Sequence, residues 1–499
     1  MSSLVVIGRG CDREQFLSDV SGRCRVTPIV GLPRHFLVDD ASDDLGAHPS
    51  VESIEDGDKP AYPCDQSISI DSTLATGSWA LPRIIRRRAP WNVDRLRHPI
   101  ETYFRSERDG TGVDIYIVDT GIDIAHSVFG GRASIIYEFY SSGGANDDVG
   151  HGTGVASCAA GDVVGIARGA TLFGLKIGQA PNGVSSTTAL TTALGHLLTH
   201  YAGRTRPAVC NISYLFSSTA VLSAIADVID AGIAVCGPAG NSVTDLASIN
   251  VFPAEAPDAV CVAGLGMADI PYYGFGVDRP TSALTFGTNY GSSVSIMAPA
   301  QGVKVAAASV LGAGSYFVAA GTSYASPMAA GVIACMLQDY QRPTTRTQVQ
   351  AINAKLFSNA TTGHLRNAFG LSPLPDRILY LDPNQVGPEP ISGLIPSLYR
   401  MAASVGSFAL TGVDATLLVN LAMTADFGSF VLTGIAATLG QNPSMTADVG
   451  TFVLTGEDAS FVADLTMTAA QGSFTLTGND AALGVSSQFS SAFSNAFAI

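Results

Sequence analysis

The sequence predicts an α/β protein: a parallel sheet sandwiched by helices, preceded by a small α+β domain and followed by a β-repeat module. Three observations predict it. Residues 112–385 alternate nearly continuous apolar strand signals with helical ones, the pattern of βαβ units in a sheet covered on both faces. Residues 1–60 gather short strand signals around one amphipathic helix. Past residue 400 a 22-residue unit recurs four times.

Taken in order, LVVIG is strand-like, REQFLSDVSG is amphipathic and helical, RCRVTPIV and HFLVDD are strand-like, SDDLGAHP reads as a short helix and VESIED as a last strand. A linker follows over 61–90. In the central domain, 91–385, VDIYIVD, ATLFGLKI, AVCNISYLF, IAVCGPAG and AVCVAGLG are strands. TGVASCAAG, TTALTTALGHLLTHYA, VLSAIADVIDAG and SYASPMAAGVIACMLQDY are helices. Residues 386–400, with GPEPISGLIP, form a Pro-rich linker. Over 401–485 the unit M-x-A-x-x-G-(S/T)-F-x-L-T-G starts at Met401, Met423, Met445 and Met467 and places Phe408, Phe430, Phe452 and Phe474 in register. Its period-two patterning, as at Leu417, Val419, Leu421 and Met423, with Gly/Asp turns, predicts two strands per unit. Residues 486–499 are a low-complexity tail.

Net charge is −15, a surface that repels phosphate and argues against a nucleic-acid partner. Lysine is confined to Lys59, Lys176, Lys304 and Lys355. Residues 39–58 carry eight carboxylates, and the stretch from Arg83 to Arg108 carries eight arginines. These read as two solvated faces, or as an acidic tail docking on a basic surface. No run reaches the roughly 18 apolar residues of a membrane-spanning helix. The start, MSSLVVIGRGCDREQF, lacks a basic region ahead of its short apolar run and does not read as a signal peptide. Cys158, Cys210, Cys236, Cys261 and Cys335 sit in apolar contexts and read as buried free thiols, consistent with a reducing compartment.

Four positions carry chemistry. Asp119 ends the apolar strand 113–118, and functional groups gather beyond the carboxyl ends of strands in open α/β sheets. His151, flanked by glycines, opens a helix beside a cleft. Asn241 follows a buried strand in the turn GPAGN, where its amide can donate to an oxyanion. Ser323 begins the helix of GTSYASPMAAG, where backbone amides and the helix dipole favour negative charge. Singly these read as a turn aspartate, a surface histidine, a turn asparagine and an N-cap serine. Together, at strand ends and helix starts of one domain, they supply a nucleophile, a base, an orienting carboxylate and an oxyanion donor. GTSYA is not the Gly-x-Ser-x-Gly of an α/β-hydrolase.

The segments DTGID, HGTGVAS, GPAGN and GTSYASP resemble the four signature blocks of subtilisin-like serine proteases, in the manner of the proteinase K branch. GDVVGIARGATLFGLKI and VSIMAPAQGVKV resemble family segments between them, so the likeness spans about residues 79–340. The resemblance implies a subtilisin-like fold and an Asp119–His151–Ser323 triad, with Asn241 in the oxyanion hole and Ser213, Tyr214 and Leu215 along the substrate. It implies a polypeptide substrate and no required cofactor. LGAHPSVESIEDGDKP resembles the end of the family's inhibitory propeptide, which makes residues 1–60 a self-partner that folds and blocks the enzyme until a cut between about Asp58 and Ser78.

The pattern departs in places. Gly154 stands where relatives have a second histidine, Tyr324 for a methionine and Met328 for a histidine. Leu215 replaces the glycine that lets substrate backbone approach, so the pocket for the residue before the scissile bond is altered. The family often binds structural calcium through loop carboxylates. Asn146-Asp147-Asp148 is a candidate loop, set against a plain solvated one.

The C-terminal repeats resemble Gly-Ser-Phe-x-Leu-Thr-Gly repeats of bacteriophage virion and tail-associated proteins. That implies synthesis in a bacterial cytoplasm and docking on phage tail or other virion proteins, with secretion as the alternative. Two functions follow: an active serine endopeptidase with a β-repeat anchor, or a structural virion protein using the same fold as a scaffold.

Overall fold

The computed structural model describes residues 2–9, 11–20, 25–39, 45, 48–56, 60–61, 79–87, 106, 108–141, 146–273, 286–312, 315–367, 369–385, 388, 390–394, 399–417, 421–439, 444–461, 466–477, 488–489 and 493–497. The chain divides into two compact units. The first spans Met1–Gln338, Arg342–Val386 and Pro390–Gly393; the second takes in Asp339–Gln341, Gly387–Glu389 and Leu394–Ile499.

The first unit opens with an N-terminal lobe: β1 (Ser2–Ile7), α1 (Arg13–Val20), β2 (Arg25–Pro28), β3 (His35–Asp39) and β4 (Val51–Asp56). The strands form an antiparallel sheet in the order β2-β3-β1-β4. Asp12 caps α1 by accepting from the amides of Glu14 and Gln15. The helix lays Phe16 and Val20 on Val5, Ile7, Phe36 and Val38. The short helix expected over 42–49 falls mostly outside the described residues. So does the expected cut region, apart from Pro60 and Ala61, which form β5 (Pro60–Ala61).

After α2 (Ala80–Ile84) come β6 (Asp114–Asp119), β7 (Ala133–Glu138), α3 (His151–Ala160), β8 (Thr171–Lys176), β9 (Ser185–Ser186), α4 (Thr187–Ala202), β10 (Ala208–Ile212), α5 (Thr219–Asp230), β11 (Ala234–Pro238), β12 (Val260–Leu265), β13 (Ile296–Pro299), β14 (Val303–Ala306), α6 (Ser309–Gly312), β15 (Tyr316–Ala319), α7 (Thr322–Leu337) and α8 (Arg346–Asn359). Seven strands make one sheet in the order β13-β12-β11-β10-β6-β8-β7, and every pairing in it is parallel. β6, β10, β11 and β12 are buried along their whole length, which is why their sequences are apolar without alternation. The strand expected over 208–216 stops at Ile212; Phe216 instead exchanges backbone hydrogen bonds with Phe252.

α3 and α7 are buried on every side. Their Gly/Ala composition is what allows it. A Cβ on Gly331 of α7 would lie 2.7 Å from the Ala159 carbonyl of α3.

The lobe rests on α4 and α5. At Gly31 and Gly195 two backbones meet so closely that a Cβ on either would fall 1.9 Å from a carbonyl oxygen of the other segment. The charge pairing runs opposite to the docking weighed above. Arg34 and Arg9 of the lobe reach Asp227 at 3.0 Å and Asp230 at 2.8 Å on α5. From the acidic tail, Glu55 meets no basic surface. It accepts from the first amides of α5, Thr219 at 2.5 Å and Ala220 at 3.1 Å, while Ser218 takes the Val221 amide. His35 is buried and donates through Nε2 to the Ala220 carbonyl at 3.3 Å; burial and the Arg34 guanidinium lower its pKa to about 4, so it docks neutral. β5 pairs antiparallel with β9, Ala61 opposite Ser185.

The arginine stretch is solvated only in part: Arg86 and Arg87 are exposed, and Arg83 and Arg108 are not. Arg83 is fully buried against Asp269 at 2.6 Å, and buried Arg108 donates to the Cys335 carbonyl near the end of α7 at 3.0 Å. Residues 88–105 lie outside the described ones.

The second unit contains β16 (Tyr399–Leu417), β17 (Leu421–Leu439), β18 (Ser444–Phe461), β19 (Thr466–Thr477), β20 (Gln488–Phe489) and β21 (Phe493–Phe497). Neighbours are parallel and in register at an offset of 22 residues: Met401 opposite Met423, Phe408 opposite Phe430, Phe430 opposite Phe452. This corrects the expectation of two strands per repeat. A straight 19-residue strand would run about 60 Å, and the four Cα steps from Leu417 to Leu421 can reach at most about 14 Å. Residue i therefore reaches residue i+22 only if each repeat bends back to its own start, as one turn of a coil. The ladder skips Ser404–Asp426 and Val413–Ile435, then Asp426–Asp448 and Ile435–Glu457, so its interruptions recur at the same two positions of each repeat. In the low-complexity tail, β20 and β21 both pair with β19.

Candidate active site

Asp119 is the last residue of β6 and His151 the first of α3. Both are buried, and the His151 Nδ1–H donates to Asp119 Oδ1 at 2.6 Å. The Thr120 amide donates to the same oxygen at 2.7 Å. Two glycines allow the approach. Gly150 caps α3 at φ 96°, a left-handed conformation that suits glycine. A Cβ on Gly152 would sit 2.1 Å from the Gly121 carbonyl oxygen and 3.1 Å from Asp119 Oδ1.

Ser323 is the second residue of α7 and fully buried. The helix is locally unusual because Pro327 has no N–H to bond the Ser323 carbonyl four residues back. Ser213 fills that gap: its Oγ–H donates to the Ser323 carbonyl at 3.0 Å. Asn211 Nδ2 in turn donates to Ser213 Oγ at 2.8 Å. Ser323 Oγ lies 3.4 Å from the Ser213 carbonyl. Sequence reading missed the Pro327–Ser213 coupling, although a proline four residues past a helix-start serine signals a carbonyl in need of a donor.

Asn241 lies beyond β11. Its Oδ1 accepts from the Thr322 amide at 2.9 Å, and the Gly240 amide donates to Thr322 Oγ1 at 3.0 Å. The first bond fixes which end of the amide faces the start of α7: the oxygen. Asn289 braces the loop by accepting from the Ser242 and Thr244 amides.

Ring contacts join the two halves. The His151 ring is 5.6 Å from the ring of Tyr324, next to Ser323, and 6.4 Å from that of Tyr214. Tyr214 is buried and donates to the Gly183 carbonyl at 2.6 Å. Half-buried Leu215 projects toward the loop: its Cδ1 would be 2.9 Å from a Cβ on Gly240. The structure thus brings Asp119, His151, Ser323, Asn241, Ser213, Tyr214 and Leu215 to one end of the sheet. Two departures compensate each other. The Tyr324 ring would lie 3.1 Å from a Cβ on Gly154, so the large residue occupies space the small one leaves. Met328 is fully buried.

The loop weighed for calcium is not a solvated one. Asp147 is fully buried and Asp148 pairs with Lys176 at 2.6 Å. Among the described residues no group of three or more His, Cys, Asp or Glu could hold a metal ion, and no helix is long and apolar enough to cross a membrane. Cys158, Cys210, Cys236, Cys261 and Cys335 are buried and free; burial raises the pKa of each thiol, that of Cys335 to about 12.

Residues 110–371 match the model described as the subtilase family. Alkaline serine exoprotease A of Vibrio alginolyticus is 30% identical over 329 residues, 66% of this chain and 54% of that protein, so the chain spans about half of that relative. Proteinase T of Parengyodontium album is 33% identical over 255 residues, 50% of this chain and 80% of that protein. Among solved structures, fervidolysin from Fervidobacterium pennivorans, described as a keratinolytic enzyme related to subtilisin, superposes with a TM-score of 0.53 at 19% identity. That match covers 77% of this chain and 60% of fervidolysin, and it supports the fold alone.

Proposed function

The chain belongs to the subtilase family, and from that premise we propose that it is a serine endopeptidase acting through an acyl-enzyme. The observation that carries the reading is the 2.6 Å bond from His151 to Asp119 at the sheet end where Ser323 opens α7. Asp119 accepts the Nδ1 proton, so the Nε2 lone pair is the one available as base. Ser323 Oγ attacks the scissile carbonyl carbon as its proton passes to His151 Nε2. The carbonyl π electrons move to oxygen, and the Asn241 amide and the Ser323 N–H stabilise that oxyanion. Collapse breaks the C–N bond, and His151 returns the proton to the leaving amine. Water then repeats the sequence on the ester and frees Ser323. Ser213, Tyr214 and Leu215 flank the bound peptide.

In the same reading the N-terminal lobe is a propeptide, removed by the enzyme's own action, and its contacts on α4 and α5 are those of a chaperone. The coiled repeats anchor the enzyme to a phage tail or other virion protein, after synthesis in a bacterial cytoplasm; the secreted alternative needs no such docking. One observation favours the second reading, a scaffold without activity: Leu215 lies so near Gly240 that a Cβ there would be 2.9 Å from its Cδ1.

Fluorophosphonate labelling, read by intact mass beside Ser323→Ala, tests the proposal. One adduct on the wild type alone, with loss of about the first 60–75 residues, supports a self-maturing protease. Labelling only after removal of the lobe supports a latent one. A folded protein that takes no adduct with or without the lobe refutes the enzyme and leaves the scaffold.

A further inference from the structure

Two ionisable side chains lie buried beside the Asp119–His151 pair without a part in the chemistry above: Asp147 and Lys176. Buried charge is costly unless it is paired and hydrogen-bonded, and both groups are fully engaged. Lys176, the last residue of β8, donates to the Thr120 carbonyl at 2.7 Å, the Gly178 carbonyl at 2.8 Å and Asp148 Oδ1 at 2.6 Å. Those are the three donors an ammonium has. Asp147 accepts from Thr120 Oγ1 at 2.9 Å, the Gly150 amide at 2.8 Å, and Thr153 through its amide at 2.9 Å and its hydroxyl at 2.5 Å.

The bonds converge on Thr120. Its amide holds Asp119, its hydroxyl oxygen accepts from the Gly152 amide at 2.8 Å, and its carbonyl is held by Lys176. Asp148 belongs to the loop that leads into His151. Lys176 therefore grips the turn after Asp119 with one hydrogen bond and the loop before His151 with another.

We propose that Lys176 is a positioning residue that sets the Asp119–His151 geometry by tying those two segments together. The inference rests on the protease reading. A methionine would fill much the same volume, so packing alone does not account for a buried ammonium here. Without it the Thr120 carbonyl loses its donor and the Asp148 carboxylate its cation, and the turn carrying Asp119 is free to rotate toward other partners. Misplacement by about 1 Å at such a site can lower turnover on the order of a hundredfold.

The test compares Lys176→Met, Lys176→Arg and Asp148→Asn in the full chain. It reads the fluorophosphonate labelling rate and kcat and KM on an internally quenched peptide, with circular dichroism as the check on folding. Lys176→Met is expected to lower kcat and the labelling rate together by about 10–100-fold, with KM within about threefold of wild type. Lys176→Arg keeps a cation that reaches part of the same acceptor set and should recover part of that loss. Asp148→Asn should lose about 3–10-fold in kcat. A folded Lys176→Met with wild-type kcat, a rise in KM alone, or an Arg variant no better than Met overturns the proposal. If Lys176→Met does not fold, Asp148→Asn decides, and a kcat within about twofold of wild type overturns it. A folded wild-type protein that takes no label and cuts no peptide, with or without the N-terminal lobe, refutes the protease reading, and this inference with it.

Discussion

Glu55 is the point at which the N-terminal lobe can be loosened with least disturbance elsewhere. Its carboxylate accepts from the Thr219 and Ala220 amides and from the Ser218 and Thr219 hydroxyls at the start of α5. Ser218 already serves the Val221 amide, so Glu55→Ala removes the acceptor from two backbone donors and a negative charge from the positive end of a 12-residue helix. A lost cap contributes about 1 kcal/mol and a partly buried charge at a helix end about another. Both are taken near their modest values because Glu55 is only half-buried and water can replace part of it. The sum, about 2 kcal/mol, corresponds to roughly a 30-fold rise in the opening equilibrium. Glu55→Gln keeps an acceptor and loses the charge, so about fivefold is expected. Hydrogen exchange read by mass spectrometry on intact Ser323→Ala chains would report the Thr219 and Ala220 amides directly. Exchange there within about twofold of the parent in Glu55→Ala would refute the assignment of that carboxylate to lobe docking.

Two further outcomes follow from the site. Asn241→Ala should lower kcat by about 10²–10³ with little change in KM, because the amide acts on the oxyanion and not on the bound peptide; steady-state kinetics decide it. Gly152→Ala forces a methyl to 2.1 Å from the Gly121 carbonyl oxygen, so α3 must shift away from Asp119; labelling at Ser323 should fall by about a hundredfold or more while α1 keeps its exchange protection.

The placement of the candidate site's residues was legible because they lie at element boundaries that sequence marks well. Asp119 ends an unbroken apolar strand, and His151 and Ser323 are the first and second residues of helices that glycines, Gly150 and Gly321, cap. α4 was read to the residue, since Ser186 caps it and accepts from the Ala189 amide. β7 and α8 were not read. β7 is a half-exposed edge strand without the apolar run of its neighbours, whereas α8 does carry a helical spacing, at Val349, Ile352, Asn353 and Leu356, that sequence reading missed. The roles of Lys176 and Asp147 were invisible for a different reason. Lys176 sits in a strand whose pattern says only that it is buried, and its partners come from residues 120, 148 and 178. The repeat was found by its period but misread in shape, because alternation reports which residues face together and not whether the strand is straight.

Because each coil of the repeat module pairs residue for residue with the next, its length comes in whole steps. Each unit of 22 residues advances the stack by one strand spacing, about 4.8 Å, and sets Met on Met and Phe on Phe. Loss or duplication of one unit would leave every remaining ladder in register. An insertion of half a unit would throw each rung against unlike residues. The module is thus a ruler graduated by the gene, able to lengthen or shorten by unequal exchange between its own copies while each rung keeps its shape.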